Sequence, residues 1–203
     1  MKRLSTLSLF PAAAIALLAF GVGIAQATEI YGNGSTIGAG STFNWSLEPG
    51  TAAQIFDTQG QTLLSCSTST IKGKITSAGS STTTTTASIE TMTWGSCTFP
   101  TTTVKLGKLE FHHVSGGTNA TVTADAEIGV TINTVFFGSC VYGTKAGTDL
   151  GIITTGRPAT YHDHWVSEKL SGSSFACPET ATFKAQYIWT EPSFPGPIQF
   201  EQA

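Results

Sequence analysis

Val122-Thr123-Ala124-Asp125-Ala126-Glu127-Ile128-Gly129-Val130-Thr131-Ile132-Asn133-Thr134 alternates apolar and polar residues along nearly its whole length. In an extended chain Val122, Ala124, Ala126, Ile128, Val130 and Ile132 share one face, and Asp125, Glu127, Thr131 and Asn133 share the other. A helix would scatter the same residues around its circumference. The period of two therefore predicts a strand with one buried face.

The same period recurs outward from this stretch. Phe43, Trp45 and Leu47 alternate with polar neighbours, as do Ile71 and Ile75 with Gly73 between them. Phe183, Ala185, Tyr187 and Trp189 form a late stripe, with Thr182, Lys184 and Gln186 facing away. Val104 and Leu106 fall out of step with Leu109 and Phe111 by one residue, which predicts a bulge. Only 11% of the 203 residues are charged, against roughly 25% in globular domains generally. Serine and threonine replace them, with 34 Thr and 20 Ser, and threonine suits a pleated, half-exposed surface. Glycines at 50, 60, 79, 116–117, 147 and 172 punctuate the runs. The expected fold is all-β: an antiparallel β-sandwich, immunoglobulin-like or related, of roughly nine to eleven short strands. It occupies 43–191 as a single domain. The Gly/Ser-rich stretch within 28–42 reads as a flexible lead-in, and 192–203, with three prolines, as an extended tail.

Met1-Lys2-Arg3 precedes an uncharged apolar run from Leu7 to Ile24 that closes on Ala25-Gln26-Ala27. This is the pattern of a secretory signal peptide, 1–27, cleaved after Ala27. A retained membrane anchor is disfavoured by Pro11, Gly21 and Gly23 and by the lack of a basic flank after the run. The expected location is extracellular or in the cell envelope, with no membrane contact after cleavage. A net charge of −3 and the lack of a Lys/Arg cluster exclude nucleic acid and polybasic lipid docking. Cys66, Cys97, Cys140 and Cys177 all follow the cleavage site, and none forms a Cys-x-x-Cys pair, so zinc ribbons and thioredoxin-like sites are unsupported. Of the three connectivities, sequential pairing is expected, because each pair then brackets neighbouring strands. The closed loops are about 30 and 36 residues.

Leu64-Ser65-Cys66-Ser67-Thr68, Trp94-Gly95-Ser96-Cys97, Cys140-Val141-Tyr142 and the late Cys177-Pro178 leading into Thr182-Phe183-Lys184-Ala185-Gln186-Tyr187 form a connected pattern. In this arrangement the chain resembles a group of secreted, poorly characterised proteins of high-GC Gram-positive bacteria, over roughly 60–190. The resemblance implies an all-β secreted fold with two bridges. It carries no agreed activity, and Tyr161–Trp165 is not part of the pattern. A local echo links Trp94-Gly95-Ser96-Cys97-Thr98-Phe99 to Phe137-Gly138-Ser139-Cys140-Val141-Tyr142, too short to establish a repeat.

Catalytic signatures are sparse. The chain contains no Gly-x-Ser-x-Gly elbow and no His-Glu-x-x-His, and no pair of acids is singled out by spacing. All four histidines fall in two groups, His112-His113 and His162-Asp163-His164. On a strand His162 and His164 share a face, and were one of His112 and His113 to join them, three imidazoles would form a zinc or copper ligand set. Trp165 beside them offers an aromatic for sugar stacking if it faces solvent. Alternation instead assigns Tyr161, Asp163 and Trp165 to the core and both histidines to solvent. The reading that results is an exported, non-enzymatic structural or binding module without a cofactor, its partner a cell-surface polymer or protein. The alternatives are a small hydrolase pairing Asp163 with a histidine, or a carbohydrate- or metal-binding domain around His162, Asp163, His164 and Trp165.

Overall fold

Residues 28–190 and 197–202 are described by the computed structural model, and the expected signal peptide lies outside them. Alternation becomes strand throughout: the described residues contain thirteen strands and no helix. They are β1 (Thr28–Gly32), β2 (Ser35–Thr36), β3 (Thr42–Leu47), β4 (Ala53–Phe56), β5 (Thr62–Ser77), β6 (Thr85–Cys97) and β7 (Thr101–His113). β8 (Ala120–Thr134), β9 (Gly138–Gly143), β10 (Asp149–Thr154), β11 (Thr160–Lys169), β12 (Thr180–Trp189) and β13 (Ile198–Gln202) complete the chain. Every pairing between strands is antiparallel.

The expected sandwich is corrected by one pairing. β5, β6, β7 and β8 follow one another side by side, β9 and β11 come next, and β11 pairs β12. β12 then pairs β3, which pairs β5, so the ring β3-β5-β6-β7-β8-β9-β11-β12 closes into an eight-stranded barrel. Two positions in the wall are shared. β3 and β4 lie end to end along β5, and β9 and β10 lie end to end along β8. Closure removes the free edges that an open sheet exposes.

An eight-stranded barrel is just wide enough to be filled by side chains, and aromatics fill this one. Trp45 lies with its ring 4.6 Å from Tyr161 and 5.7 Å from Trp189, and Trp165 packs 5.1 Å from Phe183. Gly73 takes an inward position on β5 because the Phe43 ring occupies the space of its side chain; a Cβ there would lie 2.3 Å from that ring. The enclosed space among Trp45, Trp94, Trp165, Phe183 and Asp163 is about 20 Å³, the size a single water fills. Outside, threonines pair across strands, Thr76 with Thr86 at 2.7 Å and Thr70 with Thr93. The slip between Leu106 and Leu109 is a bulge, with Gly107 at φ +64° and a register shift at Lys108/Leu109.

The termini depart from expectation. The supposed lead-in and tail pair with each other: β1 and β13 form a small sheet with Ile30 opposite Phe200. This sheet closes one end of the barrel, burying Ile30, Ile37, Ile198 and Phe200, with Phe200 stacked on Phe111 at 5.8 Å. Two short apolar segments far apart in sequence find each other here, which no local pattern announces. The bridges are Cys66–Cys97 and Cys140–Cys177, the sequential pairing, and two disulfides fit an oxidising environment.

Candidate functional site

β11 is the strand on which the chemistry concentrates. Its residues alternate strictly, with Tyr161, Asp163, Trp165 and Ser167 buried and His162, His164, Val166 and Glu168 exposed. On the outer face His162 lies opposite Gln186 and His164 opposite Lys184 of β12, and Lys184 in turn lies opposite Gln54 of β4. The 48–52 connection from β3 to β4 bulges over this checkerboard. Glu48 donates its N–H to the Gln186 carbonyl at 2.8 Å, and the Thr51 hydroxyl donates to the Glu48 carbonyl at 2.7 Å. The result is an open groove of about 680 Å³ bordered by Gly50–Ala52, Gln54, His162, His164, Lys184 and Gln186, with Asp163 and Ala185, whose side chains are buried, also lining it.

The outward polar side chains in this groove are two imidazoles, an ammonium, two carboxamides and the Thr51 hydroxyl. Lys105, Lys145 and Lys169 are paired with Glu127, Glu168 and Glu179. Lys184 has no carboxylate partner among the described residues, and its ammonium lies 5.5 Å from the centre of the Phe56 ring. The nearby acids lie at the margins, Glu48 at the root of the bulge and Asp149 on the neighbouring β10.

Asp163 belongs to the opposite face. It is 5% exposed, and burial drives its carboxyl well above the ordinary 3.8, against hydrogen bonding from Tyr161 and Trp165 that lowers it. Burial, together with the Asp163 charge, likewise raises the Tyr161 hydroxyl well above 10.0. The Tyr161 oxygen lies 3.2 Å from both the Leu150 carbonyl and Asp163 Oδ1. One hydroxyl proton serves one acceptor well. The Tyr161 hydroxyl is the donor toward both oxygens, so the two bonds share its single proton.

These placements separate residues that the sequence suggested together. Asp163 and the two histidines occupy opposite faces of the barrel wall, so the hydrolase pairing lacks a common substrate position. Trp165 is 6% exposed and packs on Phe183, which removes it as a sugar-stacking platform. His112 lies opposite Thr121, Thr121 opposite Ile152 and Ile152 opposite His162. Three strand spacings of about 4.8 Å put the two histidine groups roughly 14 Å apart, too far to share an ion. His112 bonds Thr123 at 2.9 Å and His113 the Gly117 carbonyl at 2.7 Å. No cluster of three potential metal ligands occurs among the described residues. Lys184 and Gln186 were legible as outward residues of a stripe; Gln54 and the 48–52 bulge were not, because only barrel closure brings them to β12. No protein-family model, curated protein or solved structure matches the chain.

Proposed function

We propose that the chain is an exported, non-enzymatic binding module whose outer groove engages an acidic cell-surface polymer, a glycan bearing carboxylate or phosphate groups. The observation that carries this reading is the His162–His164–Lys184 face, with Gln54 and Gln186 beside it. An ammonium, two imidazoles and two carboxamides present donors along two strands, and an acidic polymer supplies acceptors at repeating intervals. The open shape suits a chain passing through better than a small molecule enclosed on most sides. The two disulfides agree with export, as does the resemblance to secreted two-bridge proteins.

Titration of the protein with polygalacturonate, and with dextran as the neutral control, tests the reading. Binding to the acidic polymer alone, weakened by salt and reduced about tenfold by Lys184→Ala with His164→Ala, is the expected result. Equal binding of dextran, or an unchanged affinity in the double variant, overturns it.

A further inference from the structure

Four large apolar side chains stand exposed among the described residues, and three of them gather at one end of the barrel. Val135 and Phe136, 82% and 84% exposed, occupy the turn between β8 and β9, and Phe175, 96% exposed, the loop between β11 and β12. The fourth, Val166, lies on the outer wall. The two loops are held side by side. Ser174 donates its N–H to the Ser139 carbonyl at 2.8 Å, and Cys140–Cys177 ties the first strand after one turn to the end of the other loop. This end lies opposite the β1–β13 sheet: on β7 and β8, His113 lies beside Thr28 of that sheet, whereas Ile132 lies beside Cys140.

From the geometry we infer that this rim is a membrane-docking surface that inserts Val135, Phe136 and Phe175 into the interface of a lipid bilayer. Three observations favour a bilayer over a protein partner. Val135, Phe136 and Phe175 stand almost wholly exposed on loops between strands and not on a strand face. Residues 133–144 and 170–178 include no Asp, Glu, Lys or Arg, and the charges that flank the second loop, Lys169 and Glu179, pair with each other, with the Lys169 ammonium also donating to the Cys177 carbonyl. The acid on the neighbouring turn, Asp57, already accepts the N–H groups of Gln59 and Gln61. The area is also small. A phenylalanine contributes roughly 150–250 Å², so the three tips offer roughly 500 Å², below the roughly 800 Å² per partner of a stable protein interface. That suits weak, reversible partitioning. The sequence expectation of no membrane contact rested on cleavage of the signal peptide and, for the mature chain, on the lack of a basic cluster. Apolar insertion needs none.

Co-sedimentation of the mature protein with phosphatidylcholine vesicles, with and without phosphatidylglycerol, tests this. The expected result is partitioning into both, insensitive to salt, and reduced at least tenfold by Phe136→Ala with Phe175→Ala at unchanged melting temperature. Phe175→Trp is expected to shift its emission to the blue on vesicle addition and to be quenched by brominated lipid. Failure of the wild-type protein to partition, or equal partitioning of the double variant, overturns the proposal. So does a self-association that the double variant abolishes without any vesicle binding. Polygalacturonate binding is expected to be unchanged in these variants, so the groove and the rim stand or fall separately.

Discussion

Phe200→Ala is expected to destabilise the protein by about 3–5 kcal/mol, the range for removing a fully buried aromatic ring and leaving part of its space unfilled. The structure sets that magnitude. Phe200 is 0% exposed, stacks on Phe111 at 5.8 Å and lies opposite Ile30, itself 0% exposed. Its N–H donates to the Thr118 carbonyl at 2.9 Å, which ties β13 to the β7–β8 turn as well as to β1. Transfer of the ring into water accounts for about 1.5–3 kcal/mol, and the cavity between Phe111 and Ile30 for the rest. Urea denaturation followed by tryptophan emission measures it. With a urea dependence of about 2 kcal/mol per molar, the midpoint should fall by about 1.5–2.5 M. The terminal sheet can also open on its own, so amide exchange across Thr28–Gly32 should lose protection in the same variant. Gln199→Ala, half-exposed on the neighbouring position, is the control and should shift the midpoint by less than about 0.25 M. A similarly small shift for Phe200→Ala, with β1 exchange unchanged, would mean that the C-terminal segment is a tail after all.

Replacing either cysteine pair by serine should remove about 3.7 kcal/mol for Cys66–Cys97 and about 3.8 kcal/mol for Cys140–Cys177 in the chain-entropy model, given sequence separations of 31 and 37. Urea midpoints of the two paired variants measure both, and a loss under about 1 kcal/mol would refute the entropic account. Asp163 carries a pH dependence of definite sign. Its folded-state carboxyl titrates above the unfolded value, so the folded state holds the extra proton between the two. The contribution is complete below about pH 3.8 and is lost as pH rises through the raised value. Asp163→Asn should abolish that decline in a urea series from acid to alkaline pH, and an identical slope in both proteins would refute it. His162→Ala with His164→Ala should leave stability within about 0.5 kcal/mol, because both side chains are exposed. Thermal or urea unfolding decides this, a larger loss marking the pair as structural.

Local periodicity carried much of this protein. The alternation at Tyr161–Glu168 is a property of the strand alone, so it assigned Asp163 and Trp165 inward and the histidines outward without knowledge of any partner strand. The slip between Leu106 and Leu109 likewise marked a bulge, and the spacing of the cysteines favoured the sequential bridges that the fold contains. Closure was another matter. An apolar face looks the same whether it packs on a second sheet or curls onto its own far edge. The choice lies in the pairing of β12 with β3 and β4, contacts more than a hundred residues apart. The groove follows from that closure, since Gln54 and the 48–52 bulge reach His164 and Lys184 only across the seam. The ends were hidden for a related reason. Thr28–Gly32 and Ile198–Gln202 are five-residue strands beside glycine- and proline-rich sequence, too short to signal themselves, and they become strands because each buries the apolar side of the other over the open mouth of the barrel.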